Sequence, residues 1–201
     1  SRLQWEHTEK LGAIMGDGLP IPQSRNLYLP TAVDQESMNK LTKSIIDINE
    51  SDDLIEKIYA VHDIEYVPKP IKIYIDTYGG LVYQCFGLIG VMEKSETPIH
   101  TIVTGAAMSC GFMILINGHK RFGYQHATPL YHQVSTGFFG NVKEMEESLV
   151  EAKRLQEKIE EMTLRKTKIS KKRLKKVFDN KVDWFMSAEE ALKLRVIDEI
   201  I

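Results

Sequence analysis

Cysteine is scarce: 201 residues hold two, Cys85 and Cys110, each inside an apolar stretch and without the spacing of a zinc ligand set. Two thiols so placed give neither a disulfide framework nor a metal site, and they read as reduced core residues of a cytosol-like compartment. No apolar run reaches the ~18 residues of a spanning helix. The opening Ser1-Arg2-Leu3-Gln4-Trp5-Glu6-His7 is too polar for a secretory signal. Charge of one sign is not in excess either. The formal balance is -2, which offers no global attraction for nucleic acid or an anionic membrane. Internal repeats and low-complexity tracts are missing, as are HExxH and any regular His/Asp set, so no metal site is expected. What remains is 43% hydrophobic and 27% charged, an ordinary globular composition. A chain of this length buries roughly 70% of its unfolded surface in one core.

Glycine and proline concentrate at the front: Gly12, Gly16, Gly18, Pro20, Pro22 and Pro30 mark residues 1–26 as an arm, with a single domain over 27–201. Asp34 is placed to cap a helix whose apolar residues Met38, Leu41, Ile45 and Ile48 fall on one face. Residues Asn49 to Pro70 read as an acidic connection. Ile71 to Asp76 reads as a strand ending at Gly79-Gly80, and a helix carrying Val82, Cys85, Phe86, Ile89 and Met92 follows. A second strand, Ile99 to Thr104, turns at Gly105-Ala106-Ala107 into an apolar helix, Met108 to Ile116. Strand-turn-helix occurs twice within ~50 residues, as stacked βαβ units of a mostly parallel sheet require. Between Lys143 and Lys168 a highly charged helix keeps one narrow seam of Met145, Leu149, Ala152, Leu155, Ile159 and Met162. Such a seam suits either a surface helix or one that meets a helix of another subunit. Ser187 and Glu190 have capping-box spacing for a last short helix, and Val196 to Ile201 ends the chain as an edge strand.

The two glycine-containing turns carry the chemistry. In Gly105-Ala106-Ala107-Met108-Ser109-Cys110-Gly111 small residues permit a sharp turn that would present Ser109 as a nucleophile, with the Cys110 amide facing an oxyanion. Gly79-Gly80 would bring a second backbone N–H close to the same carbonyl. Losing one such donor costs about 2.7 to 4 kcal/mol of transition-state stabilisation. A serine hydroxyl needs a base beside it, and its chemistry needs no cofactor. Of six histidines, His132 in the apolar run Leu130 to Val134 is the favoured candidate and His126 its rival. The carboxylate that would orient the base should be sheltered. Asp183, just before Trp184-Phe185-Met186, fits better than Asp179, which follows the basic stretch Lys171 to Lys176.

Taken together, Ile73 to Gly80, Gly105 to Gly111, Tyr131-His132-Gln133, and Asp183 to Ala191 followed by Val196-Ile197-Asp198-Glu199 resemble segments of the Clp protease proteolytic-subunit family, in the same order. The resemblance spans residues ~25 to 201 and marks a divergent member. It implies an α/β ClpP/crotonase-like fold of stacked βαβ units with a protruding handle helix, here the helix after Lys143. It also implies a serine endopeptidase with Ser109, His132 and Asp183 as triad and the amides of Gly80 and Cys110 as oxyanion hole. The expected partners are copies of the chain in stacked heptameric rings, an AAA+ Clp-type ATPase and unfolded polypeptide, in a cytoplasm, an organellar matrix or stroma, or a virus-infected host. A non-catalytic scaffold subunit and a crotonase-like acyl-thioester enzyme are the alternatives. Tyr78 stands where the family usually has proline, and Val182 where it usually has arginine before the catalytic aspartate.

Overall fold

The computed structural model describes residues 24–135, 137 and 139–201. The expected arm, up to residue 23, lies outside the described residues. Strand β1 (Asn26–Leu29) is followed by helix α1 (Gln35–Val61), strand β2 (Ile71–Thr77), helix α2 (Val82–Lys94) and strand β3 (Ile99–Met108). Helix α3 (Cys110–Ile116) and strands β4 (Lys120–Gly123) and β5 (Thr128–Tyr131) come next. The chain then forms helices α4 (Val142–Lys166) and α5 (Lys171–Asn180), strand β6 (Trp184–Phe185), helix α6 (Ala188–Lys193) and strand β7 (Glu199–Ile200). The sheet runs β1-β2-β3-β4-β7, with β5 on β3 and β6 on β5. Every pairing is parallel except β5 with β6. This is the α/β architecture that the βαβ pattern required.

Helix α1 begins as expected. Asp34 accepts from Ser37 N–H while Ser37 Oγ accepts from Asp34 N–H, a reciprocal cap. Met38, Leu41, Ile45 and Ile48 are all buried on its inner face. Its end corrects the sequence reading, since residues 49–61 continue the helix instead of forming a connection. No glycine or proline interrupts them before Pro68, and the next inward position, Asp52, is 5% exposed yet fully partnered. Its carboxylate takes both Arg25 guanidinium nitrogens (2.8 and 2.5 Å), Thr97 Oγ1 (2.6 Å) and Tyr66 OH (2.5 Å). Burial would raise the Asp52 pKa, but these donors hold it below the ordinary carboxylate value.

A second correction concerns β3, which runs on through Gly105-Ala106-Ala107 to Met108, so that helix α3 starts only at Cys110. The extra residues find ladder partners of their own, because Ala106, Ala107 and Met108 pair with Thr128, Pro129 and Leu130 of β5. Helix α5 and strands β1, β4, β5 and β6 were not foreseen. Strand β7 is the short edge strand expected near the C-terminus. Arg121, buried, donates to Asp198 and to the Lys166 and Ile116 carbonyls, fastening the end of α4 to the head. Only the C-terminal half of α4 is buried, through Leu155, Gln156, Ile159 and Thr163, whereas Val142, Met145, Leu149 and Val150 stay exposed.

Candidate active site

Two backbone turns meet at the C-terminal ends of β2 and β3. Ser109 sits at φ 56°, ψ −119°, a conformation that a side chain with a Cβ adopts only under strain of order 1–3 kcal/mol. Its N–H donates to the Leu130 carbonyl (3.2 Å) and its carbonyl accepts from Met113 N–H (3.3 Å), which holds the bend from both sides. Gly79 has φ 101°, and a Cβ there would lie 2.7 Å from Ser109 Cβ and 3.2 Å from Cys110 N. The first turn therefore packs directly on the second, and only glycine permits that approach.

Gly80 is positioned by a neighbour that the sequence did not flag. It forms a parallel bridge with Val33, in which Val33 N–H donates to the Gly79 carbonyl (2.9 Å) and Leu81 N–H to the Val33 carbonyl (2.8 Å). The flanking groups are consumed on the Val33 side, so the N–H and C=O of Gly80 face the other way, toward the Ser109 turn. There the Cys110 thiol donates to the Gly80 carbonyl (3.4 Å). A Cβ on Gly80 would lie 2.1 Å from the Val33 carbonyl oxygen. Two side chains brace the pair of turns. Thr77 Oγ1 accepts from Gly79 N–H (3.1 Å), and Asp76 Oδ1 accepts from Ala106 N–H (2.9 Å). Asp76-Thr77, one residue before the glycine pair, was the available signal for both.

A cavity of about 120 Å³ opens at this junction, lined by Gly80, Ser109, Cys110 and His132 among others. Four of the five residues expected in the site are thereby gathered at one place. Strand β5 ends at Tyr131, and the next segment is tied to α4 where Val134 N–H donates to the buried Gln156 side chain (2.8 Å). His132, half-buried, is carried between these two anchors. The rival imidazole, His126, is exposed. His119 accepts Ile99 N–H through Nδ1 (2.8 Å), and His100 packs by Phe122, so both serve the sheet.

Asp183 stands apart from that cavity and is exposed, which corrects the expectation of a sheltered carboxylate. Strand β6 has two residues, and its pairing with β5 stops at Tyr131 opposite Trp184, leaving the preceding residue uncovered. One more step in the same register would set Asp183 opposite His132, where facing side chains share a side of the ladder. Among the described residues no hydrogen bond joins Ser109 to His132 or His132 to Asp183. The alternative acid, Asp179, is engaged in a surface ion pair with Lys175 (2.7 Å). No group of three or more His, Cys, Asp or Glu able to hold a metal occurs among the described residues. No described helix is long and apolar enough to cross a membrane.

The chain matches the Clp protease family over residues 23–201. It is also 28% identical over 181 residues to the ATP-dependent Clp protease proteolytic subunit of Deinococcus radiodurans, covering 89% of this chain and 81% of that protein.

Proposed function

Because the chain belongs to the Clp protease family and is a peptidase subunit by that membership, we propose that it hydrolyses peptide bonds by serine catalysis. In that reaction Ser109 Oγ attacks the carbonyl carbon, and His132 takes its proton and returns it to the leaving amine. The Gly80 and Cys110 amides receive the oxyanion. The observation that carries the reading is the strained Ser109 turn facing, across one small cavity, His132 and the outward side of Gly80.

Asp183 orients the imidazole when the β5–β6 ladder lengthens by one residue, which needs no change of register. Assembly supplies a reason for it to lengthen. The exposed apolar residues Met145, Leu149 and Val150 on α4 form a face for a second copy of the chain, in keeping with a homo-oligomeric ring protease. A Clp-type ATPase that delivers unfolded polypeptide is the corresponding partner, since the Deinococcus relative is named as an ATP-dependent subunit.

The test is fluorophosphonate labelling combined with cleavage of a fluorogenic peptide by the assembled protein. Ser109→Ala is expected to abolish labelling and to lower the rate by several orders of magnitude at unchanged particle mass. Equal cleavage by the variant would remove the serine mechanism. A scaffold role is the second reading, and the exposed Asp183 favours it. Particles of full mass that neither label nor cleave would establish that role instead.

A further inference from the structure

The cysteines that the sequence presented as inert core residues lie together beneath the nucleophile. Cys85 is on α2 and Cys110 is the first residue of α3, two helices that pack on each other. Cys85 Sγ also lies 3.6 Å from the Cys110 carbonyl oxygen, so its thiol touches the residue whose amide is assigned to the oxyanion. Both are buried, but they stand differently toward the cavity. Cys110 lines the cavity shared by Ser109 and His132, whereas Cys85 is wholly buried behind it.

We propose that Cys85 and Cys110 are a dithiol modification site that hydrogen peroxide oxidises to a disulfide through the active-site cavity, switching the peptidase off reversibly. This rests on the serine-peptidase reading above. Cys110 attacks first: its sulfur bonds to one peroxide oxygen, the O–O bond breaks, and the departing hydroxide leaves as water with the thiol proton. The sulfur of Cys85 then attacks the sulfenic sulfur of Cys110. An S–S bond forms, the S–O bond breaks, and a second water leaves with the Cys85 proton. Two thiols lose two electrons and one peroxide becomes two waters.

The order of attack follows from the environments. A hydrogen bond from Cys85 holds the Cys110 thiol below its ordinary pKa against the opposing effect of burial, while the same contact and burial keep Cys85 protonated. Inactivation follows from position. Drawing the two sulfurs to covalent distance pulls the first residue of α3 toward α2, which moves the Cys110 amide and the Ser109 bend together. Mispositioning one oxyanion donor lowers turnover by roughly 10² to 10³.

Assembled protein treated with hydrogen peroxide should lose 2 Da in intact mass and yield a peptide linked through Cys85 and Cys110. Its peptide cleavage should fall by roughly a hundredfold and return with dithiothreitol. Cys85→Ser, with normal cleavage when reduced, should instead gain about 32 Da as a second peroxide carries the unresolved Cys110 sulfenic acid on to the sulfinic acid, which dithiothreitol does not reverse. No 2 Da loss, full activity in the linked protein, or a Cys85→Ser variant that falls and recovers like wild type would each overturn the proposal. If the reduced protein cleaves nothing yet the link forms, the peptidase reading fails while the dithiol site stands.

Discussion

Gly80 illustrates how much of the site depends on single atoms of backbone. Its inner side is spent on Val33, with a would-be Cβ 2.1 Å from a main-chain oxygen that cannot rotate away. Gly80→Ala must therefore push β2's end from Val33 or turn the Gly80 amide out of the site. We expect kcat/KM for a peptide to fall by roughly 10² to 10³, with assembly retained, as measured by cleavage and particle mass. An alanine variant of full activity would show that Gly80 donates nothing. The glycines and Ser109 were legible in the sequence as a pattern of small residues. Val33 was not, because its role arises from a pairing with Gly80 far along the chain. Asp183 was legible as a residue but not in its exposure, since the bulk of Trp184 predicted shelter for a neighbour that the short β6 leaves uncovered.

At the scale of elements, period-3.6 spacing identified where α1, α2 and α4 begin, and it missed where α1 ends because a buried acid looks like the close of an apolar stripe. Asp52 occupies the inward position one turn past Ile48 and is neutralised by Arg25, a residue 27 positions earlier that no local pattern links to it. The same cluster fixes the segment after α1 through Tyr66, whose pKa is pushed up to about 12 by burial and by the adjacent carboxylate. Asp52→Asn leaves Arg25 without its counter-charge and should cost about 3 kcal/mol, lowering the melting temperature by roughly 6 to 12 °C. The sign of its pH dependence is set by the depressed Asp52 pKa. The cluster's contribution is full above the ordinary aspartate range and is lost as pH falls through the lower folded value. Wild type should therefore lose stability on acidification more steeply than Asp52→Asn, and parallel melting curves against pH would remove this role.

For the whole molecule, the unequal burial of α4 is the largest feature that a single copy leaves unresolved. Its second half is anchored by Leu155, Ile159 and Thr163, while Met145 and Leu149 remain 46% and 47% exposed on the same seam. The sequence showed one continuous stripe and could not divide it, because both halves obey one periodicity and differ only in what lies opposite. Replacing Met145 and Leu149 together by glutamate should leave helix content unchanged, as neither residue packs in the single copy. In mass photometry the variant is expected to form far fewer high-mass particles than wild type. Particles of unaltered mass would place the interface elsewhere.

The strained bend at Ser109 also bears on how such a chain would change over generations. Glycine would occupy φ 56° without penalty, so mutation at this codon toward glycine relaxes the turn and strengthens the fold. A lineage released from hydrolysis would drift that way, trading its hydroxyl for thermal robustness, and the hydroxyl persists only where its loss is selected against.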